Sequence, residues 1–314
     1  MIVFGPVPSR RLGRSLGINN IPSKVCSYSC IYCQVGKTDT MQVKRRHFYE
    51  PEDIITQVTK QIENVQAKGE SIDYLTFVPD GEPTLDINLG REIDLLKPLG
   101  FQIGVITNSS LIDRDDVKSD LNKADWVSVK VDAYTKKLWR NINRPHQAIT
   151  LDAIRDGLLY FSKNFQGDLV TETMLLRDRS GGLDDLHKMV DFISGLNPKK
   201  AYIAIPTRPT AETRALPPDP DYLNLTFQIF NKNIDQVEYL IGYEGNAFAF
   251  SGDAEKDILS ITSVHPMRES AVRRLLSKAN KNWEDIVEKL LFENRLIETR
   301  YNNHRFFMRN IHAE

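Results

Sequence analysis

KVCSYSCIYCQVG, residues 24–36, holds every cysteine of the chain: Cys26, Cys30 and Cys33. The spacing is C-x3-C-x2-C, with Tyr28 and Tyr32 interleaved. Three thiolates in one loop can bind metal, but they fall one ligand short of a closed tetrahedral site. A structural zinc site completed by a histidine such as His47 is one reading. Zinc, however, is usually held by paired ligands on separate turns, and here a single loop offers all three. Three plain core cysteines would need an apolar loop, and Ser27, Tyr28 and Ser29 make this one polar. A [4Fe–4S] cluster takes thiolates at its corners, and three from one loop leave one iron open to an outside ligand.

The rest of the composition narrows the class. A chain of 314 residues that is 41% apolar can bury one large core, or a large and a small one. A net charge of −1 argues against a polycation built to coat nucleic acid. No apolar run approaches the ~20 residues of a membrane span. The opening MIVFGPVPSRR lacks the charged and apolar regions of a signal peptide, so a cytoplasmic protein with no membrane partner is expected. An odd number of cysteines in one short loop fits metal binding better than a disulfide framework.

From about residue 50 to 230 the hydrophobic pattern alternates between helix and strand. PEDIITQVTKQIENVQ starts with Pro51 and places Ile54, Ile55, Val58, Ile62 and Val65 on one helical face. Strands are expected at RSLGINN, SIDYLTFV, FQIGVIT, DWVSVKV, DLVTETMLL and AYIAI, nearly apolar throughout, as buried parallel strands are. Helices such as TLDAIRDGLLYFSKN, capped by Thr150, and GLDDLHKMVDFISGL separate them. Polar residues recur at strand ends (Asp80, Asn108, Asp132), where barrel enzymes place their chemistry. The expected fold is therefore α/β: a partial (β/α)6 TIM-like barrel over residues 1–235. The Pro-rich stretch 208–221 is expected to close the repeat. Residues 236–257 read as a connecting hairpin turning at Gly245-Asn246. Two helices and a hairpin turning at Asn302-Asn303 then suggest a winged helix-turn-helix-like domain over 258–314.

With these residues in view, the cysteine loop, with an aromatic residue just before its last Cys, resembles the signature of the radical S-adenosylmethionine (SAM) superfamily. The resemblance covers about residues 4–210 and implies a catalytic [4Fe–4S] cluster on Cys26, Cys30 and Cys33, with SAM on the open iron. It also implies a one-electron donor of flavodoxin or ferredoxin type. One electron then cleaves SAM to methionine and a 5′-deoxyadenosyl radical, which takes hydrogen from the substrate. Tyr32 matches the family's adenine contact. DGEP (80–83) follows the second strand where the family carries a GGEP-like turn, with Asp80 in place of the first Gly. This gives Gly81, Glu82 and Pro83 the task of binding the SAM amino group; alone, the tetrapeptide is also an ordinary turn. Asn108 of TNSS is a SAM contact or a helix cap. SVKVDA resembles the end of the family's fourth strand, and alternation would put Ser128, Lys130 and Asp132 on one face, toward SAM or substrate.

FGPVPSRRLGRSLGIN resembles the archaeal and bacterial radical SAM oxidoreductases related to the wyosine-forming tRNA enzymes. Arg10, Arg11 and Arg14 are therefore candidates for an anionic substrate, or else a solvated basic segment. Arg144, Thr171, Thr173 and Arg177 are further candidates. The tricyclic-base synthases of that group use extra cysteines for a second cluster, and this chain has none. In the C-terminal region, ten Lys and Arg stand against six Asp and Glu between 267 and 311. That favours RNA or tRNA contact, with protein or peptide docking and plain packing as alternatives. A macromolecular substrate is the expectation. The competing class is a non-enzymatic zinc- or Fe–S-dependent regulator that works through the winged helix.

Overall fold

A computed structural model of the chain describes residues 2–178, 181–241, 253–264, 266–277, 282–301 and 303–310. Strand β1 (Val3–Ser9) turns back through Ser9–Gly13 into β2 (Gly13–Ile18). The repeat then runs α1 (Pro51–Gln66), β3 (Tyr74–Phe77), α2 (Leu89–Leu96), β4 (Gln102–Thr107), α3 (Asp115–Leu121) and β5 (Trp126–Lys130). It continues with α4 (Lys136–Asn143), α5 (Leu151–Asn164), β6 (Asp168–Met174), α6 (Leu183–Gly195), β7 (Lys200–Ala204), α7 (Pro220–Asn233) and β8 (Val237–Leu240).

These eight strands form one sheet in chain order. The pairs from β2 to β8 are all parallel, and β1 lies antiparallel on the outer edge of β2. The sheet curls into a partial barrel: Arg11, in the β1–β2 turn, reaches across the interior to Glu172 on β6. All six expected strands are present. The Pro-rich stretch does not end the repeat, because it lies between β7 and α7 and a further strand follows. Val237–Leu240, expected in a connecting hairpin, pairs with Ala201–Ala204 as that strand. Its Leu240 is buried, so the apolar residues of VEYL cover the sheet edge. The proposed Gly245-Asn246 turn lies outside the described residues.

The helices follow the physics of their sequences. α1 buries Pro51, Ile54, Val58, Ile62 and Val65, while Ile55 sits at the margin of that face. Thr150 Oγ1 accepts from the Ala153 amide at 3.3 Å, the cap its hydroxyl suggested. Full burial of each such aliphatic side chain contributes about 1.5–3 kcal/mol.

The C-terminal residues have a separate core. α8 (Ala254–Val264), β9 (Met267–Arg268), α9 (Glu269–Ser277), α10 (Trp283–Phe292), β10 (Leu296–Tyr301) and β11 (His304–Arg309) follow in order. The three strands form a small sheet with β11 in the middle. Tyr301 pairs with His304, so the expected tight turn is there, with Asn303 at φ 61° and Asn302 outside the described residues. Val7 of β1 packs against this second core. No described helix is long and apolar enough to cross a membrane.

Candidate active site at the cysteine loop

The cysteine loop leaves β2 and folds over the open end of the sheet. Val25–Cys26 pairs in parallel with Thr40–Met41, and Val25 also bridges to Gly81. This contact explains the glycine of DGEP. A Cβ on Gly81 would sit 2.0 Å from the Val25 carbonyl oxygen, so only glycine lets the turn lie against the loop. The turn is fixed from below as well: Arg45 donates to the carbonyls of Thr84 (2.8 Å) and Asp86 (2.7 Å), and Asn20 to that of Pro83 (3.2 Å).

A cavity of about 320 Å³ opens at this end of the barrel. Cys26, Cys30, Tyr32 and Cys33 form one wall, Gly81, Glu82 and Asn108 another, and Arg10, Arg11 and Lys130 lie across from them. Ten of the residues singled out in the sequence thus meet at one place. Burial pushes all three thiols above the usual cysteine range, Cys30 to about 12. Free thiolates are costly in such a site, so ionised cysteines here need a cationic partner. Among the described residues no three His, Cys, Asp or Glu side chains are placed to hold a single metal ion. Three thiols from one loop on one cavity wall fit the donor set of an iron–sulfur cluster. His47 is exposed and turned to Glu50 and Asn88, away from the loop.

Glu82 is 1% exposed and takes four hydrogen bonds. Its Oε1 accepts from the Thr84 amide (3.2 Å), Thr84 Oγ1 (2.6 Å) and Thr107 Oγ1 (2.6 Å), and its Oε2 from the Asn108 amide (2.7 Å). All four partners donate, so they suit the acceptor-only carboxylate, although burial raises its pKa. Oε2, with one donor, keeps room for an ammonium group. Lys130 pairs with Glu172, which also holds Arg11. Burial lowers the pKa of Lys130.

The remaining candidates take other positions. β5 ends at Lys130, so strand alternation does not carry Asp132 to the same face. Asp132 instead accepts from Tyr32, from Asn143 Nδ2 (2.6 Å) and from the Met174 amide (2.9 Å), outside the large cavity. Ser128 is fully buried deeper in the barrel. Pro83 starts a short 3-10 turn rather than lining the cavity. Arg14 lies on the outer surface against Glu70 and the Ser71 carbonyl. Arg144 pairs with Glu212, and Arg177 lies 3.5 Å from Asp219; neither lines the cavity. Thr171 and Thr173 are buried, and Thr173 donates to the Val131 carbonyl.

Some cavity residues were not foreseen. Glu172 stands between those two threonines, in register with Lys130, and strand period alone would have turned it inward. Arg208 and Gln34 form a further wall, joined at 2.9 Å, and nothing local in either sequence marks that meeting.

Beneath the turn lies a second titratable group. Glu92 (1% exposed) is buried beside Asp86, Asn20 and Asp120. Burial, reinforced by the Asp86 carboxylate, raises its pKa far above the usual value. The folded chain then keeps a proton that the unfolded chain gives up above about pH 4.3. Stability conferred by neutral Glu92 is therefore lost as pH rises, by up to about 1.4 kcal/mol per unit. Urea unfolding of Glu92→Gln should show a gain over wild type that grows from pH 5 to pH 8; a constant difference would contradict this.

An open barrel, a three-cysteine loop over its mouth and a glutamate turn beside it define a radical SAM-type enzyme. The chain belongs to this superfamily: the radical SAM superfamily model matches residues 20–193. Its family uses a [4Fe–4S] cluster and SAM. The chain is 48% identical over 312 residues to a UPF0026 protein of Methanocaldococcus jannaschii, covering 99% of this chain and 96% of that one. Among solved structures, a radical SAM methyltransferase from Sphaerobacter thermophilus aligns with a TM-score of 0.55 at 15% identity, over 72% of this chain and 66% of that one. TYW1 with a lysine-pyruvate adduct bound aligns with a TM-score of 0.53 at 17% identity, over 71% and 76%. At these identities the two structures share the fold.

Proposed function

We propose that the chain holds one [4Fe–4S] cluster on Cys26, Cys30 and Cys33 and cleaves SAM reductively to act on a macromolecular substrate. The observation that carries this reading is the single cavity lined by the three cysteines, Tyr32, Glu82, Asn108 and Lys130. Cys26, Cys30 and Cys33 would hold the cluster, which would supply the one-electron reduction of SAM that starts radical chemistry on the substrate. The chain's own residues bind and orient. Glu82 Oε2 and the backbone of the DGEP turn suit an ammonium, Tyr32 offers an aromatic face, and Lys130 presents a cation to a carboxylate. Arg10 and Arg11 give the substrate side of the cavity a positive character.

The position of the C-terminal residues supports a large substrate, either an RNA base or a peptide. They meet the barrel around the mouth of the cavity: Val7 packs on their core, and Tyr301 donates to the Pro206 carbonyl at 3.0 Å, two residues before Arg208. Thr262, Ile297 and Met308 face Gln34–Lys37 across a cavity of about 160 Å³. The order of helices and strands there supports a winged-helix reading. A cleft with Arg268, Arg300, His304 and Arg305 gives that domain an anion-attracting face. Radical SAM enzymes need an electron donor, and we assign this role to a flavodoxin- or ferredoxin-like protein. The alternative of a non-enzymatic regulator has no use for a cavity of this composition.

Anaerobic reconstitution with iron and sulfide should load four irons per chain, and dithionite with SAM should then release 5′-deoxyadenosine. Zinc in place of iron, or no cleavage by a fully loaded protein, would overturn the reading.

A further inference from the structure

The segment NRPH, residues 143–146, does more than display an arginine. The end of α4 is docked on the cysteine loop through its own backbone. The Ile142 carbonyl accepts from the Ile31 amide at 2.9 Å, and the Asn143 carbonyl from the Ser29 amide at 3.1 Å. The His146 amide in turn donates to the Ser27 carbonyl at 2.9 Å. Carbonyls left open at a helix end are thus satisfied by the loop that carries the cysteines.

This docking brings the Asn143 side chain, 2% exposed, to Cys30. Its Nδ2 lies 3.4 Å from Cys30 Sγ and 2.6 Å from Asp132 Oδ2. The Tyr32 hydroxyl oxygen is also within 3.4 Å of this nitrogen. Of the two amide hydrogens, one goes to Asp132 and the other points between Cys30 Sγ and the Tyr32 hydroxyl. Asp132 is itself fixed by the Met174 amide and the Tyr32 hydroxyl, and it holds the Asn143 amide in one orientation. Cys26 has a similar donor in Asn108 Nδ2 at 3.5 Å, while Cys33 lies in the field of Lys24.

Hydrogen bonds to cysteine sulfur are one of the means by which a protein sets the potential of an iron–sulfur cluster. A donor on the sulfur offsets the negative charge gained on reduction and so favours the reduced form. We propose that Asn143 is a positioning residue that raises the reduction potential of the cluster through Cys30, with Asp132 as its anchor. The proposal rests on the assignment of the three cysteines as cluster ligands. It gives Asp132 a role different from contact with SAM.

The test compares full-length reconstituted wild type, Asn143→Ala and Asn143→Leu by potentiometric titration, with dithionite as the one-electron reductant and electron paramagnetic resonance of the reduced cluster as the signal. Asn143→Ala should shift the midpoint to more negative potential and lower the reduced fraction at a fixed dithionite excess. Asn143→Leu, which fills the same space without the amide donors and leaves the Asp132 charge in place, should shift it the same way. Equal midpoints in variants that hold four irons would overturn the proposal. Should Asn143→Ala fail to load, Asn143→Leu carries the comparison. The wild type gives an independent reading: electron–nuclear double resonance before and after exchange into D2O should show an exchangeable proton coupled to the reduced cluster, and its absence would also overturn the proposal. A wild type that holds no four-iron cluster refutes the ligand assignment instead.

Discussion

Cys30→Ala leaves the apo barrel folded and reduces SAM cleavage to background. The Cys30 thiol is hydrogen-bonded with the Asn143 amide and the Tyr32 hydroxyl and packs at the edge of the core, so its removal costs on the order of 1 kcal/mol, too little to unfold the barrel. For the cluster the same change removes one of the three proposed protein ligands, and the chain has no fourth cysteine to substitute. Iron content should therefore fall together with 5′-deoxyadenosine release, while thermal unfolding of the apo protein stays close to wild type. Retained four-iron loading with normal cleavage would show that Cys30 is not a ligand. Loss of the apo fold would assign the loop a structural role instead.

Glu82→Gln should damage both the fold and SAM binding. The carboxylate satisfies three donors on one oxygen and one on the other, tying the DGEP turn to the end of β4. An amide in its place turns an NH2 group toward one of these donor sets, leaving at least one buried donor unsatisfied at a cost of about 1–3 kcal/mol. The lost charge also removes the proposed partner of the SAM ammonium, worth about 1.5–3 kcal/mol, or roughly 10–100-fold in affinity. Urea unfolding and equilibrium binding of SAM to the reconstituted protein measure the two effects separately. Unchanged SAM affinity in a folded variant would confine Glu82 to a structural role.

The barrel was legible in the chain because each strand and helix carries its own local signal. Short apolar runs such as YLTF and periodic faces such as that of α1 need no distant residue to be recognised. The eighth strand was not. VEYL is short and followed by a Gly-Asn pair, and its pairing with β7 depends on an edge more than thirty residues earlier in sequence. The site divides in the same way. Cys26, Cys30, Cys33, Tyr32 and Glu82 sit in compact motifs, whereas Arg14, Arg144 and Arg177 have charges that say nothing of the side of the barrel they occupy. Asp132 was misplaced because strand alternation was carried two residues past the end of β5.

By itself the sequence determined the chemistry of the site: three thiolates in one loop, a glutamate turn after a strand, and no further cysteine for a second cluster. These follow from residue type and short spacing, which folding does not alter. Tertiary structure decided which polar groups face the cavity and which are engaged elsewhere. Glu172 joined Lys130 and Arg11, Asp132 was drawn to Asn143, and Arg14 was left outside. The reason is physical: a buried charge is stable only beside its partner, and here the partners lie on different strands and helices, brought together by the curl of the sheet.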